Sequence, residues 1–327
     1  MRSIMSLLLN NTKIIEKEII LLEEMLRKVL LSEIGLATEI ASYLVGSGGK
    51  RIRPYLTILT GKALGYKKRK LITLACVIEL LHTASLIHDD IVDKSDLRRG
   101  NLSVNAKWDN AHGVLVGDFV YSKAFQLMAS LENNHAIKTL ADSTNRISEG
   151  EVLQLILRGQ ANFSEKDYFE IIGRKTAELF KASSLSAAII AETSKELRKS
   201  SSKFSYSLGI AFQIKDDLLD YIGEEKTTGK KIGKDFEEGK LTLPLIKTFS
   251  LCSKKEIKFL KDTLKKKDNR KLSKVIEIVR NSGALKQVEK EVNKHSKSCL
   301  KQLSFFPQTQ YRTELENMVN SQKFRKK

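Results

Sequence analysis

The sequence predicts an all-α protein. Three observations carry this: only three prolines in 327 residues (Pro54, Pro244 and Pro307), apolar residues recurring at helical spacing over long stretches, and a lack of short alternating β-branched runs between turn dipeptides. Proline removes a backbone donor and clashes inside helices, so a chain that carries so few can hold long ones. Apolar residues make up 41% and charged residues 29%, which supplies a sizeable core under an ordinary globular surface.

In chain order, Ile14, Ile15, Ile19, Leu22, Met25, Leu26, Val29 and Leu30 set a helical period within 13–45. Gly46-Ser47-Gly48-Gly49 interrupts it. Pro54 is placed to open the next helix, which Gly65 ends. A helix from Leu71 to about Asp93 contains neither Gly nor Pro. The polar stretch 94–112, with Arg98-Arg99-Gly100, begins as a loop. Helical patterns resume near 113–131, 136–159, 165–192 and 196–221. A Gly- and Lys-rich loop covers 223–240, and Pro244 marks a helix start. The remainder, 244–327, reads as shorter, more polar helices with a basic tail. No linker, low-complexity tract or fixed repeat divides the chain, so one all-helical domain over 1–327 is expected.

The cysteines, Cys76, Cys252 and Cys299, are odd in number and scattered, which points to reduced thiols and a cytoplasmic location. The segment MRSIMSLLLNNTK has no small-residue cleavage site and reads as neither signal peptide nor anchor. No run approaches about 18 apolar residues, so no spanning helix is expected. The net charge of +18 suits a polyanionic partner or a lysine-rich solvated surface. Dispersed lysines and short runs such as Lys67-Lys68 and Lys265-Lys266-Lys267 favour the surface reading, and no nucleic-acid-binding motif is present.

Chemistry concentrates in two aspartate motifs, Asp89-Asp90-Ile91-Val92-Asp93 and Asp216-Asp217-Leu218-Leu219-Asp220. On a helix, Asp89 and Asp93 fall one turn apart on one face, as do Asp216 and Asp220. Like charges at that spacing repel, so cations must compensate. Magnesium prefers oxygen ligands and takes one or two carboxylates plus substrate phosphates, so two facing clusters suit Mg²⁺ around a diphosphate. One such motif alone would often be a solvated helix end, but two with identical spacing, each after an apolar helix, are not. Lys50 and Arg53 follow Gly48-Gly49 at a helix start, a natural diphosphate pocket. Arg98-Arg99 lies just after the first motif, and His82 two turns before it.

At this point a family is recognisable. LLHTASLIHDDIVDKSDLRRG, GGKRIRP, GDFVYSKAFQ, EGEVLQL, KTAELF, FQIKDDLLDY and GKKIGKDFEEGKLTLPL, in this order, resemble the trans-polyprenyl diphosphate synthases, densely over about 40–250. The likeness is greatest to the long-chain, octaprenyl-forming branch that serves quinone side chains such as that of ubiquinone. The resemblance implies a bundle of long helices around a deep apolar cavity, usually a homodimer. It implies that Lys50, Arg53, His82 and Arg99 hold the diphosphate of isopentenyl diphosphate. Arg98, Lys175, Thr176, Gln213, Lys230 and Lys240 would surround the allylic diphosphate. Asp89, Asp93 and Asp216 would bind magnesium, two to three ions per site, with Asp90, Asp217 and Asp220 completing the motifs directly or through water. The implied reaction is metal-assisted ionisation of the allylic diphosphate, attack by the isopentenyl double bond and loss of a proton, with the departing diphosphate as base. Lys234, where an acidic residue is common, and Asn101-Leu102 depart from the family pattern and put loop details in doubt.

Chain length follows from what stands below the first motif. Ser85 lies four residues before Asp89 and Ala84 five, about one helical turn. Short-chain relatives carry bulky aromatics there; these small residues let a growing chain pass toward Leu71, roughly 27 Å away along the helix. Phe125 or Met128 could form a deeper floor, or both could be ordinary core. The expected product is about C35–C50, with peripheral membrane contact possible at its release. Three rival readings fit the sequence less well. A class I terpene cyclase would not need GGKRIRP and Arg98-Arg99, a non-catalytic partner subunit would have lost its Asp motifs, and a basic nucleic-acid-binding protein would leave both acidic clusters unexplained.

Overall fold

The computed structural model describes residues 12–46, 48–158, 163–222, 232–266 and 269–324. A 3₁₀ turn, Thr12–Ile15, leads into α1 (Glu16–Val29), followed by α2 (Gly35–Gly46), α3 (Ile52–Ala63) and α4 (Lys70–Val92). A two-by-two-residue hairpin, β1 (Leu97–Arg98) with β2 (Asn101–Leu102), pairs antiparallel. Then come α5 (Val104–Lys107), α6 (Asn110–Ala129), α7 (Asn134–Leu157) and α8 (Glu165–Ile172). A π-helical turn, Gly173–Ala177, joins α8 to α9 (Glu178–Ile190), and α10 (Lys195–Ile222) follows. The chain continues as α11 (Lys234–Glu237), α12 (Leu243–Phe249), α13 (Lys254–Lys266), α14 (Leu272–Asn281), α15 (Ala284–Leu303) and α16 (Gln310–Phe324).

Two helices organise the bundle. α4 packs on α6, α3, α1 and α9; α10 packs on α15 and α9. α9 lies between them and also meets α7. Fourteen of α4's 23 residues are buried, because it has neighbours on nearly every side. This corrects one expectation. Among the described residues α4 is long and apolar enough to cross a membrane by length and composition, yet 72% of its apolar window is buried by protein. A helix that is apolar all round is what a bundle centre requires.

The helical period over 13–45 is also not continuous. It breaks between α1 and α2, where the Ser32 amide donates to Thr38 Oγ1 (2.8 Å) and the Ile34 amide to Ser32 Oγ (3.1 Å). Local side-chain oxygens thus take amides that would otherwise extend the helix. Within 94–112 the chain forms the hairpin and α5. The last segment holds longer helices than expected, since α15 runs 20 residues along α10. Pro244 does open α12.

Candidate active site

The first aspartate motif occupies the C-terminal end of α4, where every carboxylate meets a cation. Asp93 accepts from Arg158 Nη2 and Lys240 Nζ, each at 2.8 Å. Burial alone would raise the Asp93 carboxyl, but Lys240, Lys175 and Arg158 together pull it below its ordinary value. Asp90 is 2% exposed and clasped by Arg98, whose Nε lies 3.0 Å from both carboxylate oxygens and whose Nη2 also bonds Oδ1. Burial raises the Asp90 carboxyl, and Arg98 offsets part of the rise. Asp89 lies 3.5 Å from Lys175 Nζ, which also meets Glu151 Oε2 at 2.6 Å.

The second motif occupies the last turns of α10. Asp217 is 3% exposed and accepts from Tyr168 Oη (2.6 Å) and Gln213 Nε2 (2.8 Å). The Gln213 amide is thereby oriented, and its carbonyl accepts from Thr176 Oγ1 at 2.8 Å. Burial, reinforced by Asp235, holds the Asp217 carboxyl well above its ordinary value although Tyr168 and Gln213 pull it down. Asp220 accepts from the Lys234 and Asp235 amides at 3.2 and 3.1 Å, fastening α11 to α10. Asp216 is close enough to Arg53 for its charge to favour the protonated guanidinium.

The Gly48–Pro54 segment forms the cationic wall. Arg51 sits in the left-handed region (φ 46°), a conformation that costs a non-glycine residue energy. It is held there by three contacts: Nε to Glu23 Oε1 (2.9 Å), Nη1 to Glu79 Oε1 (2.7 Å) and Nη2 to the Val45 carbonyl (3.0 Å). This anchoring places Arg53, whose Nη1 bonds His82 Nε2 at 3.0 Å and whose guanidinium lies 4.7 Å over the Phe180 ring. Burial lowers Arg53 to about 10, so it stays charged near neutrality. His82 is driven well below its ordinary value by burial and by Arg53 and Arg99, so it is neutral and accepts at Nε2. Arg53 Nε is buried without a hydrogen-bond partner among the described residues. Arg99 packs its guanidinium on Gly49, where a Cβ would fall 2.7 Å from Nη1, so a side chain at Gly49 would displace Arg99. Lys50 is exposed on the same segment.

The π turn delivers Lys175 and Thr176. Its wider backbone breaks the α-helical register between α8 and α9, a feature frequent at functional sites. α10 approaches the turn closely because Gly209 has no Cβ; one would meet Ala177 Cα at 2.6 Å. A cavity of about 140 Å³ opens beside it, lined among others by Lys175, Thr176, Gln213, Asp217, Lys240, Arg158 and Tyr168. Four residues assigned by resemblance to the allylic side therefore share one cavity. Arg98 is instead engaged with Asp90, and Lys230 lies outside the described residues.

Below the first motif, Ala84 is fully buried and Ser85 half-buried, its Oγ donating to the His82 carbonyl at 2.9 Å. Phe125 does not fit the floor expected of it. It is 46% exposed and stacks on Tyr121 (5.9 Å), whereas Met128 is buried. Tyr121 also meets the His88 ring at 5.8 Å. Burial, Asp89 and Glu151 push its phenol up to about 12.

Sequence reasoning missed Glu151, Arg158, Tyr168 and Arg51. Glu151 lies in EGEVLQL and Arg51 in GGKRIRP, so both segments were in view; nothing local marks Arg158 or Tyr168. Burial, with Asp89 alongside, pushes the Glu151 carboxyl up to about 7. That crowding suits a divalent cation. Asp89 and Glu151 are hard oxygen donors packed close enough to oppose each other's ionisation, with Lys175 between them. Among the described residues no three acidic, His or Cys groups form a closed cage. A cation that completes its shell with water and phosphate oxygens, as Mg²⁺ does, fits such an open set.

Comparison with known proteins agrees with this geometry. The polyprenyl synthetase family model matches residues 35–281. The chain is 37% identical over 292 residues to octaprenyl diphosphate synthase of Escherichia coli (strain K12), covering 89% of this chain and 90% of that one. It is 38% identical over 299 residues to the all-trans-nonaprenyl-diphosphate synthase (geranyl-diphosphate specific) of Rhodobacter capsulatus, covering 91% and 92%. The polyprenyl synthase of Caulobacter crescentus CB15, solved with calcium and isoprenyl diphosphate, superposes with a TM-score of 0.93 at 33% identity over 98% of each chain.

Proposed function

Since the chain belongs to the polyprenyl synthetase family, we propose that the cations and carboxylates at the α4–α10 end hold two diphosphates for head-to-tail condensation. The protein is a prenyltransferase of the polyprenyl diphosphate synthase type, and chain elongation is its reaction. Elongation sets aside the cyclase, partner-subunit and nucleic-acid readings as its main activity. The observation that carries the site assignment is the 2.8 Å contact of Asp93 with Lys240. It joins the first motif to the loop after the second, so both motifs border one space.

Arg53, Arg99, neutral His82 and Lys50 bind the diphosphate of isopentenyl diphosphate. The orphaned Arg53 Nε donor supports this, because a buried donor without a partner is costly and an anion satisfies it. Lys175, Lys240 and Arg158, with Arg98 and Lys230 as expected from resemblance, bind the allylic diphosphate. Asp89, Asp93 and Asp216 would hold Mg²⁺, two to three ions per site, which when bound draws negative charge off the leaving diphosphate. The allylic C–O bond breaks with its electron pair, the isopentenyl double bond makes the new C–C bond, and a proton leaves. Thr176 donates its hydroxyl proton to Gln213, which leaves its oxygen lone pairs available to the cavity where positive charge develops. His82 does not take the released proton, because its Nε2 already accepts from Arg53. The departing diphosphate is the base.

Small Ala84 and Ser85 under the first motif support a product of about C35–C50 serving a quinone side chain. Exposed Val114 and Leu115 on α6 and Val152, Leu155 and Ile156 on α7 support a homodimer, since apolar patches of this kind seek a partner. Three cysteines that form no disulfide support work in the cytoplasm, and the packing of the described helices into one bundle supports a single domain. Purified protein given isopentenyl diphosphate with geranyl or farnesyl diphosphate should elongate either primer with Mg²⁺ and stop in excess chelator. Elongation undiminished by chelator would overturn the metal assignment.

A further inference from the structure

The chain's charge is not spread evenly. Residues 244–327 hold 22 Lys and Arg against 8 Asp and Glu, a net +14 of the chain's +18, while residues 1–243 hold 35 against 31. A general preference for lysine would not leave three quarters of the excess in one quarter of the chain. α15 carries five of these lysines against two acidic residues, Glu289 and Glu291, and it is their placement that sets it apart. Lys286, Lys290, Lys294, Lys297 and Lys301 recur at steps of four, four, three and four, and all are exposed. That spacing puts them on one face, opposite buried Val288, Val292, Cys299 and Leu303, as a ridge about 22 Å long. Only Lys294 has an ion pair, with Glu291 at 3.0 Å. Lys286, Lys290, Lys297 and Lys301 have none among the described residues. α13 repeats the pattern with exposed Lys254, Lys258, Lys261 and Lys265.

Like charges one turn apart destabilise a helix, so an unneutralised ridge disfavours folding unless an anion compensates it. We propose that the α15 lysine ridge docks the enzyme on an anionic lipid bilayer. The choice of a bilayer rests on the elongation reading, because a product with a lengthening apolar chain must leave water. Phe305, 62% exposed just past Lys301, supplies the apolar anchor that a basic interfacial surface uses. A second copy of the chain is disfavoured, because a two-fold contact through this face sets lysine against lysine. Nucleic acid is disfavoured because the ridge holds no arginine, the side chain that reads guanine edges and stacks on bases.

Vesicle sedimentation without substrates tests the docking separately from catalysis. The full chain should pellet with vesicles of phosphatidylcholine containing about 30% phosphatidylglycerol, not with phosphatidylcholine alone, and should be released by high salt. Replacing Lys286, Lys290, Lys297 and Lys301 by Gln should lower partitioning at least tenfold. The matching Lys→Arg set should retain binding, and both variants should keep elongation in detergent within about twofold. Equal binding to both vesicles, a Gln variant that binds like the parent, or a DNA mobility shift without vesicle binding would overturn the proposal. Loss of elongation in detergent by the unaltered protein would instead count against the elongation reading.

Discussion

Tyr168→Phe removes one hydroxyl and leaves the ring. In the parent that hydroxyl sits 2.6 Å from Asp217 Oδ2, and Gln213 donates to the other oxygen at 2.8 Å. The variant leaves a carboxylate that is only 3% exposed with one protein donor where it had two. Leaving a buried acceptor without its partner costs about 1–3 kcal/mol, and the adjoining cavity can admit a replacement water, so a figure of about 1.5 kcal/mol applies. That equals roughly a tenfold effect. Because Asp217 orients Gln213 and Gln213 orients Thr176, the loss should appear in kcat, with KM for both substrates nearly unchanged. Steady-state elongation with labelled isopentenyl diphosphate gives both constants. Tyr168→Phe should also be non-additive with Thr176→Val, since the two act along one chain of hydrogen bonds. A kcat within twofold of the parent, or strict additivity, would refute the reasoning.

Four further outcomes follow from the same geometry. His82→Ala deletes the acceptor of Arg53 Nη1 and should raise KM for isopentenyl diphosphate about tenfold more than it lowers kcat, as initial-rate titrations would read. Ser85→Phe puts an aromatic about one turn below Asp89 and should shorten the product while condensation continues; unchanged lengths by mass spectrometry would sink the tunnel assignment. Glu151 titrates near 7 in the folded chain against an ordinary 4.5, so the folded state binds the extra proton and metal-free stability falls as pH rises through that window. Glu151→Gln should therefore flatten the melting temperature between pH 5 and pH 7.5, and a parent curve already flat there would contradict it. Gly49→Ala should weaken isopentenyl diphosphate binding through displaced Arg99 while leaving α3 folded, a contrast that calorimetry and circular dichroism can separate.

Much of this was legible because the information is local. The i, i+4 spacing of Asp89 with Asp93 and of Asp216 with Asp220 fixes their faces wherever the helices lie, and GGKRIRP carries its own turn and cations. The all-α class was legible from the rarity of proline. What escaped depends on packing between distant elements. Arg158 reaches Asp93 across 65 positions and Tyr168 reaches Asp217 across 49, and no window of sequence pairs them. Asp90 and Arg98, which the resemblance assigns to metal and substrate, also bond each other where the hairpin brings them together. The π turn at Lys175 packs against α10 at Gly209, a contact between distant segments. Phe125 shows the reverse error, an aromatic at a plausible depth whose helix face points outward.

The central claim is that both aspartate walls, with the cations between them, elongate an allylic diphosphate past the short-chain limit. Mass spectrometry of products from purified protein, Mg²⁺, isopentenyl diphosphate and farnesyl diphosphate tests it directly. The account predicts a series rising in five-carbon steps and ending at about C35–C50. Products ending at C20 or below, or no elongation of any primer, would contradict it.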